Sequence, residues 1–225
     1  MILTSTLSTK TRFAQLAAHL RGLYVVTDAR ARGGHIAMAR AALAGGARIV
    51  QLRDKTANGA QLLRFAQELR ELTTRHDALL LINDRIDIAL ASAADGVHLG
   101  PDDLPLSVAR QLLPFQIVGA SCGTIEEARN AESYGADYIG VGAVFDTQTK
   151  SDAGAAIGLK NLRSIVQETT LPVAAIGGIT RENIAEVVRC SAKMACVVSA
   201  ISGATDELEM EARTRELVDA ANFAR

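Results

Sequence analysis

YIGVGAVFDTQTK (138–150) starts as an apolar run rich in strand formers and ends in two hydroxyls and an ammonium, Thr147, Thr149 and Lys150. That is the profile of a buried parallel strand opening onto a polar loop. Seven other runs read as strands: LYVVT (23–27), RIVQL (48–52), ALLLI (78–82), GVHL (96–99), IVGAS (117–121), VAAIG (173–177) and CVVSA (196–200). Between them apolar residues recur at helical spacing, as in Ile36, Ala39 and Leu43, or Leu62, Phe65, Leu69 and Leu72. Eight strands alternating with helices predict a closed (β/α)8 TIM barrel. The competing fold is an open parallel sheet. The strand count and the lack of a GxGxxG after the first strand favour the barrel.

Residues 1–21 read as an extra amphipathic helix with Phe13, Leu16 and Leu20 on one side, plugging the barrel bottom or lying along its flank. No linker, repeat or low-complexity segment divides the chain, so residues 1–225 are expected to form one domain. Hydrophobic residues make up 48% and aromatics only 4%, which suits Ala, Val, Ile and Leu strands covered by helices. The net charge of −1 and the absence of a basic, aromatic-studded patch exclude nucleic acid as the expected partner. Cys122, Cys190 and Cys196 have neither CxxC spacing nor a histidine array, so no disulfide framework or zinc site is expected. The N-terminus has no secretory pattern, and no apolar run reaches the roughly 20 residues a bilayer requires. The expected setting is the cytoplasm, away from membranes and with reduced thiols.

Chemistry in such barrels gathers at the C-terminal strand ends. Those positions hold Asp28; Gln51, Arg53 and Lys55; Asn83, Asp84 and Arg85; His98, Asp102 and Asp103; Ser121; Thr147, Thr149 and Lys150; Gly177 and Gly178; and Ser199. The Thr and Lys donors after residue 146 suit phosphate oxygens, although a polar surface turn has the same composition. Asp84 and Asp103 on neighbouring strands would repel unless a cation lay between them, and Mg2+ suits two carboxylates completed by water and a substrate phosphate. Each Asp could instead cap the helix that follows it, near RIDIALAS or LSVARQLL. Arg53, Lys55 and Lys150 nearby favour the metal, because a cationic rim facing a metal is what a diphosphate requires.

A second anion site is expected where IGGI (176–179) leads into a helix near Thr180, with VVSAI (197–201) as the adjoining loop. A tight glycine turn is the alternative. His98, on a strand, reads as a hydrogen-bonded pocket wall rather than a base. A metal-bound anion and a backbone-bound anion at one mouth suggest a diphosphate reacting with a monophosphate.

LYVVTD (23–28), GGARIVQLRDK (45–55), IND (82–84), DGVHLGPDDLP (95–105), FDTQTK (145–150), PVAAIGGI (172–179) and VVSAI (197–201) together resemble the thiamine-phosphate synthase family, over nearly the whole chain and in that family's order. The resemblance implies a Mg2+-dependent transferase that joins hydroxymethylpyrimidine diphosphate to a thiazole phosphate, releasing diphosphate through a pyrimidinylmethyl cation. By position, it implies that Gln51, Arg53, Lys55 and Asn83 hold the pyrimidine diphosphate, with His98 lining the pocket. Asp84 and Asp103 would bind Mg2+, while Ser121 and Lys150 contact the diphosphate. Thr147 and Thr149 would lie beside the thiazole phosphate and the leaving group, and Gly178, Val198 and Ser199 would bind the thiazole phosphate through their backbone. Ser121, Lys150 and Arg53 are the implied catalytic residues.

Three positions depart from the family pattern: Asp146 replaces a common Pro, Pro101 a common Gln, and Gly123 a polar residue such as His. Asp146 is the least expected, since a carboxylate next to a diphosphate is unfavourable unless it points away. The loop 146–155 is polar and long enough to close over substrate. A homo-oligomer is compatible with this reading. The rival functions are a thiazole tautomerase-like isomerase, which needs a proton-shuttling base and no diphosphate clamp, and a non-catalytic barrel that binds thiazole phosphate.

Overall fold

Eight short strands each put alternate side chains on opposite faces, and here both faces are buried. The computed structural model describes residues 18–147, 149 and 155–221. The strands are β1 (Gly22–Val26), β2 (Ile49–Leu52), β3 (Leu79–Asn83), β4 (Gly96–Leu99), β5 (Ile117–Cys122), β6 (Tyr138–Val141), β7 (Val173–Ile176) and β8 (Met194–Val197). All pair in parallel in sequence order, and β1 closes the barrel on β8, with Leu23 opposite Ala195. Helices cover the outside: α1 (Gly34–Ala44), α2 (Gly59–Arg75), α3 (Ile86–Ala91), α4 (Leu106–Leu112), α5 (Ile125–Ser133), α6 (Gly158–Glu168), α7 (Ile184–Arg189), α8 (Ser199–Ser202) and α9 (Glu207–Ala221). The expected (β/α)8 barrel is therefore the fold observed. Phe13, Leu16, Lys150 and most of loop 146–155 lie outside the described residues.

Period-two alternation sorts the strand residues. Tyr24, Val26, Ile49, Leu79, Leu81, Ile117, Tyr138, Ala174, Met194 and Cys196 point inward and form one apolar interior. Their neighbours Val25, Val50, Leu80, Val97, Val118, Ile139, Ala175 and Ala195 point outward beneath the helices. Leu20, just before β1, belongs to the interior cluster, while residues 1–17 of the expected extra helix lie outside the described residues. Local signals start the helices where they should. Asn58 and Gln61 form a reciprocal capping box on α2, and Thr124 and Glu127 form another on α5.

Two boundaries differ from expectation. The eighth strand is Met194–Val197, not 196–200, because Met194 and Ala195 pair with both β1 and β7, while Val198 turns the chain and Ser199 begins α8. The helix expected near Thr180 runs from Ile184. Asn183 shapes the turn before it, accepting from the Thr180 N–H at 2.8 Å and donating to the Gly178 carbonyl at 2.9 Å.

At the barrel bottom a carboxylate braces each of two strand pairs. Asp95, just before β4, accepts from the Leu80 N–H at 2.8 Å and pairs with Arg70 of α2 at 2.7 Å. Asp137, just before β6, likewise accepts from the Val118 N–H at 2.8 Å and pairs with Arg110 of α4. Asp95 is only 6% exposed, so Asp95→Ala strands a guanidinium and a backbone donor in poorly solvated surroundings. The expected loss is about 3 kcal/mol, or roughly 6–12 °C in Tm, with turnover per folded molecule unchanged because Asp95 lies at the end opposite the rim. Calorimetric melting checks this; an unchanged Tm would leave the brace without energetic weight.

Candidate active site

The C-terminal rim encloses a cleft of about 840 Å3. Gln51, Arg53, Lys55, Asn83, Asp84, His98, Asp103, Ser121, Thr147, Thr149, Gly178, Val198 and Ser199 all line it, as does Pro101. Strand register explains this convergence. Gln51, Asn83, His98 and Ser121 occupy inward positions at successive strand ends, with Asn83 paired opposite His98.

Asp84 follows β3 in the left-handed region, at φ 62°, and its N–H is bound by the His98 carbonyl at 2.9 Å. Its side chain does not cap α3, whose N-cap is Arg85 without a side-chain cap bond. Asp103 does not cap α4 either: the N-cap there is Pro105, and the Asp103 carboxylate instead accepts from the Gly100 N–H at 2.7 Å. Both carboxyls are thus free of helix duty, and they lie close enough for Asp103 to act on Asp84. Burial, and then the Asp103 carboxyl, push Asp84 up to about 6, against the pull of Lys55 and Arg53. Lys55 Nζ lies 3.7 Å from Asp84 Oδ2. Such a pair is favourable when a cation bridges it, and its hard oxygen donors suit a small divalent ion. Among the described residues no group of three or more His, Cys, Asp or Glu side chains is placed to hold a metal.

A polar chain that was not foreseen runs across the cleft floor. Gln51 Nε2 donates to Tyr24 Oη at 2.5 Å, and the Tyr24 and Tyr138 hydroxyls lie 3.0 Å apart. His98 Nδ1 is 2.8 Å from Tyr138 Oη, and His98 Nε2 is 3.0 Å from Ser121 Oγ. His98 thus lines the cleft with both ring nitrogens hydrogen-bonded. The missed tyrosines had one signal in the sequence: both fall at inward positions, where a buried hydroxyl needs a partner. Gly119 leaves the room for this floor, since a Cβ there would run into the Tyr138 ring.

On the opposite side Gly177 and Gly178 are at φ 101° and 61°, and a Cβ on Gly178 would strike the backbone of Phe145 and Asp146. The β6 loop thus lies directly against the glycine turn, with the Val198–Ser199 entry to α8 beside it along the cleft. The Asp146 side chain is exposed and is not among the residues that line the cleft. Thr147 Oγ1 accepts from the Thr149 N–H at 3.2 Å.

The sequence profile described as thiamine monophosphate synthase matches residues 23–201. Thiamine-phosphate synthase from Methanospirillum hungatei is 50% identical over 201 residues, spanning 88% of this chain and 96% of that protein. Thiamine-phosphate synthase from Chloroflexus aurantiacus is 48% identical over 87% of this chain and 92% of its own length. The solved structure of thiamine phosphate pyrophosphorylase from Pyrococcus furiosus superimposes with a TM-score of 0.84 at 43% identity, covering 92% of this chain and 97% of that one. On this likeness, which takes in every strand and the whole rim, the chain belongs to the thiamine monophosphate synthase family.

Proposed function

We propose that the protein is a transferase that makes thiamine phosphate, joining 4-amino-2-methyl-5-hydroxymethylpyrimidine diphosphate to 4-methyl-5-(2-phosphoethyl)thiazole with release of diphosphate. The observation that carries this reading is the pairing of Asp84 and Asp103 beside Lys55 and Arg53 at one side of a mouth whose other side is a glycine turn. The first cluster suits a metal-bound diphosphate, and the second suits a phosphate approached by backbone N–H groups. The reading also agrees with the names of the relatives, which are synthases.

The residues divide the work by charge. Asp84 and Asp103 fit Mg2+ because their carboxyls converge, are not used as caps and leave most coordination positions for water and phosphate. When bound, Mg2+ would neutralise charge on the diphosphate oxygens. Arg53 and Lys55 do the same from the β2 end, and Lys150 is assigned the same role from the β6 loop. Asn83, Gln51, His98 and Ser121 line the floor where the pyrimidine ring would sit, and Thr147 and Thr149 line the same cleft, where they would contact the phosphates. The pyrimidinyl methylene–oxygen bond breaks with its electron pair leaving on the diphosphate. The resulting cation is captured by the lone pair of the thiazole nitrogen. No proton is lost in that bond formation, so a strong base at the methylene is unnecessary. His98, committed to Tyr138 and Ser121, fits a positioning role.

Three buried free thiols are compatible with a reducing compartment, and we place the protein in the cytoplasm. Among the described residues no helix is long and apolar enough to cross a membrane.

The purified protein, given both substrates and Mg2+, is expected to form thiamine phosphate and diphosphate in equal amounts, followed by chromatography. Chelating the metal is expected to stop the reaction, and re-adding it to restore turnover. No product with both substrates and Mg2+ present would overturn the assignment.

A further inference from the structure

Arg53 and Lys55 leave β2 on a segment that has no strand partner, yet a clamp needs its charges held in place before the diphosphate arrives. The residue between them, Asp54, is the anchor. Its Oδ1 accepts from Thr56 N–H at 2.8 Å, Thr56 Oγ1 at 2.7 Å and Ala57 N–H at 2.9 Å, folding the segment back on itself. Its Oδ2 lies 3.1 Å from His35 Nε2. His35 Nδ1 in turn lies 2.9 Å from Thr27 Oγ1, at the end of β1, and Thr27 Oγ1 accepts from the Arg53 N–H at 3.4 Å.

The chain of bonds runs from Arg53 through Thr27, His35 and Asp54 back to the residue beside Arg53. His35 is 3% exposed and Thr27 is 2% exposed, so water does not compete for these bonds. The donor pattern is consistent around the ring: with a proton on Nε2, His35 donates to Asp54 and accepts from the Thr27 hydroxyl, which keeps a lone pair for Arg53 N–H. Consecutive left-handed glycines, Gly33 at φ 78° and Gly34 at φ 69°, place His35 in the first turn of α1, and the Phe65 ring packs 5.2 Å from it. Burial pushes Asp54 upward, but the Thr56, His35 and Ala57 hydrogen bonds prevail and hold it well below the usual carboxylate range.

We infer that Asp54, His35 and Thr27 are positioning residues that fix the segment carrying Arg53 and Lys55, so that the diphosphate-binding charges are set before substrate binds. This rests on the proposed role of Arg53 and Lys55. It assigns a task to a ring of polar groups of which Thr27 alone lines the cleft. A ring serving only to hold α1 on the barrel would have no reason to close through the backbone of Arg53.

The test is calorimetric binding of inorganic pyrophosphate with Mg2+ to the full chain, in wild type, Asp54→Ala, Asp54→Asn and Thr27→Val. Asp54→Ala is expected to weaken binding by at least about tenfold, as a misplaced clamp should. Asp54→Asn keeps an acceptor for the Thr56 and Ala57 donors and is expected to recover part of the loss. Thr27→Val, which keeps the strand-forming shape, reads the same ring if Asp54→Ala does not fold. A merely structural role changes the stoichiometry or the Tm but leaves the Kd of the folded fraction alone. Equal Kd values across the folded variants therefore overturn the inference. Wild-type turnover is measured alongside: its absence with pyrophosphate binding intact overturns the synthase reading and not the positioning role. A wild-type protein that binds no pyrophosphate overturns both.

Discussion

Asp84→Asn is expected to lower kcat by at least about 10²-fold at saturating Mg2+, with the fold intact, since removing one well-placed electrostatic partner of a transition state costs on that order. Asparagine is the informative substitution because Asp84 sits at φ 62°, a region that Asn enters readily and Ala does not. Ala would add backbone strain to the loss of charge. The Asp84 N–H is held by the His98 carbonyl, so the backbone there survives either change. The carboxyl itself serves no cap, and Asp103, Lys55 and Arg53 act on it, so what the amide removes is one of the two negative charges proposed to hold Mg2+. The Mg2+ concentration giving half-maximal rate should rise along with the fall in kcat. Circular dichroism and Tm serve as the folding control. Full activity at saturating Mg2+ would take Asp84 out of the metal role.

The parts of the site that were legible in the sequence follow from strand geometry. Once GVHL and IVGAS are taken as strands, alternation alone sends His98 and Ser121 to one side, and they meet at 3.0 Å. Gln51 and Asn83 follow by the same rule on β2 and β3. Asp84 and Asp103 were ambiguous because Asp before a helix is a common cap; only the observed N-caps, Arg85 and Pro105, separate the two readings. Tyr24 and Tyr138 could not be joined from the sequence, since their hydroxyls meet across 114 residues and nothing local marks the contact. The ring of Thr27, His35 and Asp54 was hidden for the same reason: its bonds link the ends of two strands to a helix start. The misplaced end of β8 has a different cause. CVVSA is apolar but for Ser199, and only pairing with β1 and β7 decides that Met194 belongs to the strand and Ser199 to a helix.

Arg53→Ala is expected to reduce kcat by about 10³-fold, close to 4 kcal/mol of transition-state stabilisation. The reasoning turns on when charge develops. As the methylene–oxygen bond breaks, negative charge grows on the diphosphate, so a guanidinium aimed at those oxygens binds the transition state more strongly than the substrate. The loss should therefore fall mainly on kcat, with a smaller rise in KM for the pyrimidine diphosphate. Arg53 is half-buried in the cleft wall, and its charge acts to lower the Asp84 carboxyl, after that of Lys55. Lysine in its place keeps the charge but loses the planar fork, so Arg53→Lys should recover only part of the rate. Steady-state kinetics with both substrates varied separates the outcomes. If Arg53→Ala raises KM while kcat stays at the wild-type value, Arg53 holds the ground state only, and the charge that lets the diphosphate leave must come from Lys55, Lys150 and the metal.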